Sequence, residues 1–173
     1  HPSTLAAVQV TQGGIAVVRD VWESFTGDTG EIESRRRLMS QRWGIPYRRW
    51  VFDPMQREAA KIVGAMVAPT ATRLTRAGHV HQRLMNNTLK FDMVVAEGDS
   101  AHDRERKAMI GRCFSQMKRV HQVRVEVRGG YKYEYARVDD DMAAAVENAI
   151  DLIDSRPVLD KKQKLPSRKV WAR

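Results

Sequence analysis

Hydrophobic and polar residues alternate most cleanly between Gln122 and Arg128. Val123, Val125 and Val127 fall on one face there, with Gln122, Arg124, Glu126 and Arg128 on the other. A period of two is that of a half-buried strand, and Gly129-Gly130 closes it. Just upstream the period lengthens. Met109, Ile110, Cys113, Phe114 and Met117 share one face of a helix predicted over Asp103 to Val120. Downstream, Asp139-Asp140-Asp141 precede an alanine-rich stretch whose apolar stripe is Met142, Ala145, Val146, Ala149, Ile150 and Ile153. Acids before strong helix formers suit the positive end of a helix dipole, so a helix is predicted over 142–153.

The first two-thirds of the chain is less regular. Thr4 to Val18 reads as two short strands around Gly13-Gly14. Glu31 to Arg49 is arginine-rich and contains Trp43. It reads as a helix running into an extended surface segment, with Pro46 and Pro54 as punctuation. Ala60 to Ala68 suits a buried strand or a short helix. Pro69 to Ala77 reads as a loop, and Gly78 to Asn87 as a strand ending in an Asn-Asn turn. Together these elements predict an α+β fold. Its predicted parts are an N-terminal extension over 1–57, a globular domain over 58–153 and a tail over 154–173.

Charge sharpens that division. The formal net charge is +9 in 173 residues, and residues 161–173 hold six cations and no acid. That run, from Lys161 to Arg173, has no apolar period, and Pro166 interrupts any helix. It is expected to order only against an acidic partner, and fully extended it spans roughly 40 Å. A basic balance so segregated points to nucleic acid, through phosphate neutralisation. One cysteine, Cys113, excludes an internal disulfide and fits a reducing compartment. No apolar run approaches the length of a membrane span. The opening His1-Pro2 suggests a processed product, with no targeting peptide visible.

Two constellations carry chemistry. Asp53, after the apolar Trp50-Val51-Phe52, and the Asp139–Asp141 triplet supply carboxylates from a strand end and a helix start. Such a set can hold Mg²⁺ for phosphodiester hydrolysis, although an acidic triplet at this place more commonly serves only to cap the helix. The Asp-Asp before an alanine-rich helix resembles the nuclease domain of large phage terminases. That resemblance implies a ribonuclease-H-like fold with three acids, of which Asp53, Asp140 and Asp141 are the candidates here. The first acid of that family has no counterpart, as if the chain began just after it. His79, His81, His102 and His121 lack the cysteine partners of a zinc site. Trp22 and Trp50 suit a core, whereas Trp171, in the tail, suits a groove in RNA or protein.

The C-terminal run is similar to another family. Asp154-Ser-Arg156-Pro-Val158-Leu-Asp-Lys161-Lys162-Gln-Lys-Leu165, followed by Arg168-Lys169-Val170-Trp171-Ala172-Arg173, resembles the end of the universal small-subunit ribosomal protein nine. Val123 to Gly130, Met142 to Ile150 and Met109 to Phe114 are similar to its strand, helix and pre-strand segments. Tyr131 stands where that family has a third glycine, and Ala172 where it has a lysine, which suggests a divergent organellar member. The resemblance implies a small two-layer sandwich of the ribosomal-protein-S-five domain-two type with an extended basic tail. It also implies a structural constituent of the small ribosomal subunit in the mitochondrial matrix or, alternatively, the cytoplasm. The implied partners are small-subunit rRNA, peptidyl-site tRNA and neighbouring ribosomal proteins. By position, Arg128, Gly129, Gly130, Lys132, Arg156, Lys161, Lys162, Lys164, Arg168 and Lys169 would meet rRNA, and Arg173 would approach tRNA. No catalytic residue, metal, cofactor or membrane follows from that reading.

Overall fold

The fold was taken from a computed structural model, which describes residues 3–46, 49–69, 72–119, 122–135 and 141–155. It is an α+β structure organised on a three-stranded sheet of order β1-β2-β5. Strand β1 (Ser3–Val10) and β2 (Ala16–Ser24) form an antiparallel hairpin, and β5 (Leu89–Phe91) joins β2 in parallel. The Gly13-Gly14 turn lies where the sequence places it, with Gly14 at φ 78°, a left-handed conformation that glycine adopts without steric cost.

The hairpin explains why its residues do not keep a simple period of two. The register shifts between Ala7 and Val8, leaving Arg19 of β2 unpaired in a bulge. The extra residue flips the parity of everything beyond it, so Val18 and Val21, three apart, enter the same core. That core gathers Ala16, Val18 and Val21 with Val80, Leu89, Ile110, Cys113, Met142, Val146 and Ile150. Helices α3 (Arg73–Met85), α4 (Ala101–Arg119) and α5 (Asp141–Asp154) therefore cover one face. On the other face Leu5 packs with Met39 of α1 (Thr29–Trp43), Trp50 and the half-buried Trp22, Ile32 and Trp43.

Several expectations are corrected by this packing. Residues 1–57 are no extension, because their hairpin supplies two of the three strands of the main sheet and packs into its core. The expected two layers are three, because β1 and β2 bury apolar side chains on both faces. Gly78 to Asn87 is not a strand: the helix begins at Arg73, inside the expected loop. Arg76, Ala77 and Val80 bury at helical spacing while Gly78 stays exposed, and Asn87, at φ 58°, makes the turn into β5. Ala60 to Ala68 divides into the end of α2 (Arg57–Ile62), a left-handed Gly64 and β4 (Met66–Val67). β4 pairs in parallel with β3 (Val51–Phe52), a second and separate small sheet. The strand over 122–128 appears as β6 (Gln122–Val127), and a partner, β7 (Gly130–Tyr135), pairs with it as a hairpin.

Helix α1 is framed by its caps. The Asp28 carboxylate accepts from the Gly30 N–H at its start, and Gly44, at φ 63°, ends it with the Ile45 N–H bonded to the Ser40 carbonyl. Trp50 then anchors the returning chain by donating its indole N–H to Ser40 Oγ at 2.8 Å. This fixes where β3 starts, and so where Asp53 lies.

Candidate functional site

The small β3–β4 sheet and the hairpin are not hydrogen-bonded to each other. Each presents an open edge, that of β1 on one side and that of the β3–β4 pair on the other. Between β1 and β3 lies a trench of about 960 Å³, bounded by Ser3 to Val10, by Trp50 to Asp53 and by α5. Its floor is made of Ala144, Ala145, Asn148 and Ala149. The small alanines keep it open. Asn148 is only 7% exposed, and its Oδ1 has no hydrogen-bond partner among the described residues. A buried acceptor left unanswered is costly, about 1–3 kcal/mol, and marks a place where a donor is wanted.

Two carboxylate residues line this trench, Asp53 and Asp141, together with the exposed Arg49. Asp53 follows β3 and starts a short 3₁₀ turn. Its Oδ1 accepts from the Met55 N–H at 2.9 Å, and its Oδ2 accepts from Arg76 Nη2 at 2.9 Å. Arg76 is buried, so the Asp53 carboxylate is held in one orientation from behind. Asp141 is the first residue of α5, where the helix dipole favours negative charge. Its carbonyl accepts from Thr4 Oγ1 at 3.1 Å, tying the helix start to β1. Thus the strand-end and helix-start acids named from sequence share one cavity. Asp139 and Asp140 lie outside the described residues.

The donor set bears on a cation as follows. No group of three or more His, Cys, Asp or Glu suited to a metal occurs among the described residues, so the described carboxylates of the trench form no preformed cage. Two carboxylates beside a cation-bearing wall instead fit Mg²⁺, which is held by one or two carboxylates together with substrate phosphates.

The other sequence candidates are dispersed. Arg128, Gly129, Gly130 and Lys132 sit at and beside the exposed turn of the β6–β7 hairpin. Arg156, Lys161, Lys162, Lys164, Arg168, Lys169, Trp171 and Arg173 lie outside the described residues. His79 is structural, with Nδ1 at 3.1 Å from Asp151 Oδ1, and His81 and His102 are exposed. Arg49 and Asn148 escaped the sequence reading. An arginine beside Trp50 carries no distinctive spacing, and an asparagine inside an alanine-rich helix is conspicuous only once the helix is seen to be buried.

No family model, no curated protein and no solved structure matches this chain. No helix among the described residues is long and apolar enough to cross a membrane.

Proposed function

We propose that the chain is a divalent-cation-dependent nuclease domain, acting on phosphodiester backbones in the manner of the phage terminase nucleases. The observation that carries this reading is the convergence of Asp53, from a strand end, and Asp141, from a helix start, on one trench. Bound there, a divalent cation supplies Lewis-acid polarisation and a water-derived nucleophile for displacement at phosphorus. Asp53 is held in its aim by Arg76 and the Met55 N–H. Asp141 stands at the helix N-terminus. Arg49 offers an exposed cation to a substrate phosphate.

The test is cleavage of single- and double-stranded DNA and RNA with Mg²⁺ or Mn²⁺. Asp53→Asn, Asp140→Ala and Asp141→Asn should each reduce cleavage by at least roughly a hundredfold, the range for losing a group that stabilises transition-state charge. Absence of cleavage by the parent chain with either cation would remove the proposal.

A second reading rests on a different observation, the acid-free run of six cations over 161–173. Under it the chain is a structural constituent of the small ribosomal subunit, with the basic tail of ribosomal protein nine. Its partners are then small-subunit rRNA, peptidyl-site tRNA and neighbouring ribosomal proteins in mitochondria, with no reaction catalysed. Deleting residues 161–173 should then shallow the salt dependence of RNA binding by roughly five to six phosphate contacts. An unchanged slope counts against it.

A further inference from the structure

The β6–β7 hairpin differs from every other element. Among the described residues its extensive contacts are those between its own two strands, while the other strands pack on helices. Its described side chains are mostly exposed: Arg124, Glu126, Val127, Arg128, Tyr131 and Lys132. A two-stranded ribbon with so little burial is not held there by a core of its own.

The register shows what it presents. Arg124 pairs with Tyr133, Glu126 with Tyr131 and Gln122 with Tyr135. Cross-strand partners share a face, so positions 131, 133 and 135, all tyrosine, fall on the same face of the ribbon as position 124. The Arg124 guanidinium lies 3.4 Å from the centroid of the Tyr131 ring, and Tyr131 is 58% exposed. Stacked contact of this kind holds the guanidinium plane parallel to an aromatic surface. Arg128 is exposed at the turn, Lys132 on the opposite face of the ribbon, and Lys118 and Arg119 at the end of α4 just before β6 in the chain. An aromatic row flanked by cations is the chemistry that binds unpaired nucleotides, rings stacking on rings while phosphates meet Lys and Arg. A duplex hides its base faces and would use the cations alone.

We propose that this ribbon is a binding platform for single-stranded nucleic acid, separate from the trench. It rests on the reading that the chain acts on nucleic acid, but not on catalysis. The experiment is fluorescence anisotropy with a labelled oligothymidylate and with a duplex of equal length, in EDTA so that cleavage plays no part. The parent should bind the single strand at least roughly tenfold more tightly than the duplex. Tyr131→Ala and Arg124→Ala should each weaken single-strand binding about tenfold or more, the effect of losing one stacked base, and Tyr131→Trp should retain it. His81→Ala, an exposed change outside both sites, should leave it unchanged. Circular dichroism of each variant controls for folding. No binding by the parent, duplex bound as tightly as single strand, or unaltered affinity in both alanine variants would overturn the proposal. A chain that binds oligothymidylate but never cleaves keeps the ribbon and loses the nuclease; one that cleaves with unaffected alanine variants does the reverse.

Discussion

Helix α5 has two working faces, and they could hardly differ more. Toward α3 it presents Glu147, Asp151 and Asp154, one helical turn apart. They meet Arg73, His79 and Arg83 at 3.1, 3.1 and 2.6 Å. Because the partners rise in number together, the two helices run in the same direction and their charges close like a zip. Toward the trench the same helix presents Ala144, Ala145, Ala149 and the unanswered Asn148. The lesson is that charge density does not locate chemistry. The seam holds the most acids, and they are engaged. The trench holds few polar groups, among them a buried amide oxygen with no hydrogen-bond partner among the described residues.

The comparison breaks most forcefully at the seam. Glu147 is 3% exposed and answers Arg73, so Glu147→Ala should leave a cation without its partner. The cost should be about 3 kcal/mol in urea unfolding, typical of removing one member of a buried pair. The opposite face should respond with the opposite sign. Asn148→Leu removes the orphan acceptor from the trench floor and should be neutral or stabilising by about 1 kcal/mol in the same assay. A large loss in Asn148→Leu would show that the amide has a partner after all.

A third measurement sharpens the contrast between engaged and available groups. Cys113 lies in the core beneath α5, and burial, with the charges of Glu147 and Glu23 adding to it, pushes its thiol up to about 12. It should remain unreactive toward a thiol-disulfide reagent at pH 8 and titrate only on denaturation. The smallest effect concerns acid stability far from α5. The Lys107 ammonium hydrogen-bonded to Asp99, and the Ser100 hydroxyl hydrogen-bonded to Asp103, with Arg42 assisting, lower both carboxyls below their ordinary value of 3.8. A carboxyl lowered by folding stabilises fully above its unfolded value, and that contribution is lost as pH falls through the lowered one. Lys107→Met should therefore shrink the stability difference between neutral pH and the region below about pH 4, seen as a flatter profile in acid titration.

Much of this was legible in the chain and some was not, for identifiable reasons. Helix α4, helix α5 and strand β6 follow clean periods over many residues, and the structure keeps them. Helix α3 was hidden because Gly78 and the His79-Val80-His81 alternation mimic a strand. The helix is set by Arg76, Ala77 and Val80, and Arg76 does not look like a core residue. Its burial makes sense only beside Asp53. Strands β3 and β4 pair over two residues each, too short for any period to register. The acids at 53 and 141 were nameable from type and local context. That they share a cavity depends on how α5 and β3 pack, which no local pattern records.

The open edges of β1 and β3 have one more consequence. A sheet edge is a row of alternating donors and acceptors with nothing opposite, and here two such rows flank one channel whose floor holds a lone amide oxygen. Whatever settles there meets peptide groups along both walls as well as the side chains of Asp53, Asp141 and Arg49. If the trench takes a phosphodiester, the edge N–H groups are donors for its oxygens whatever bases it carries.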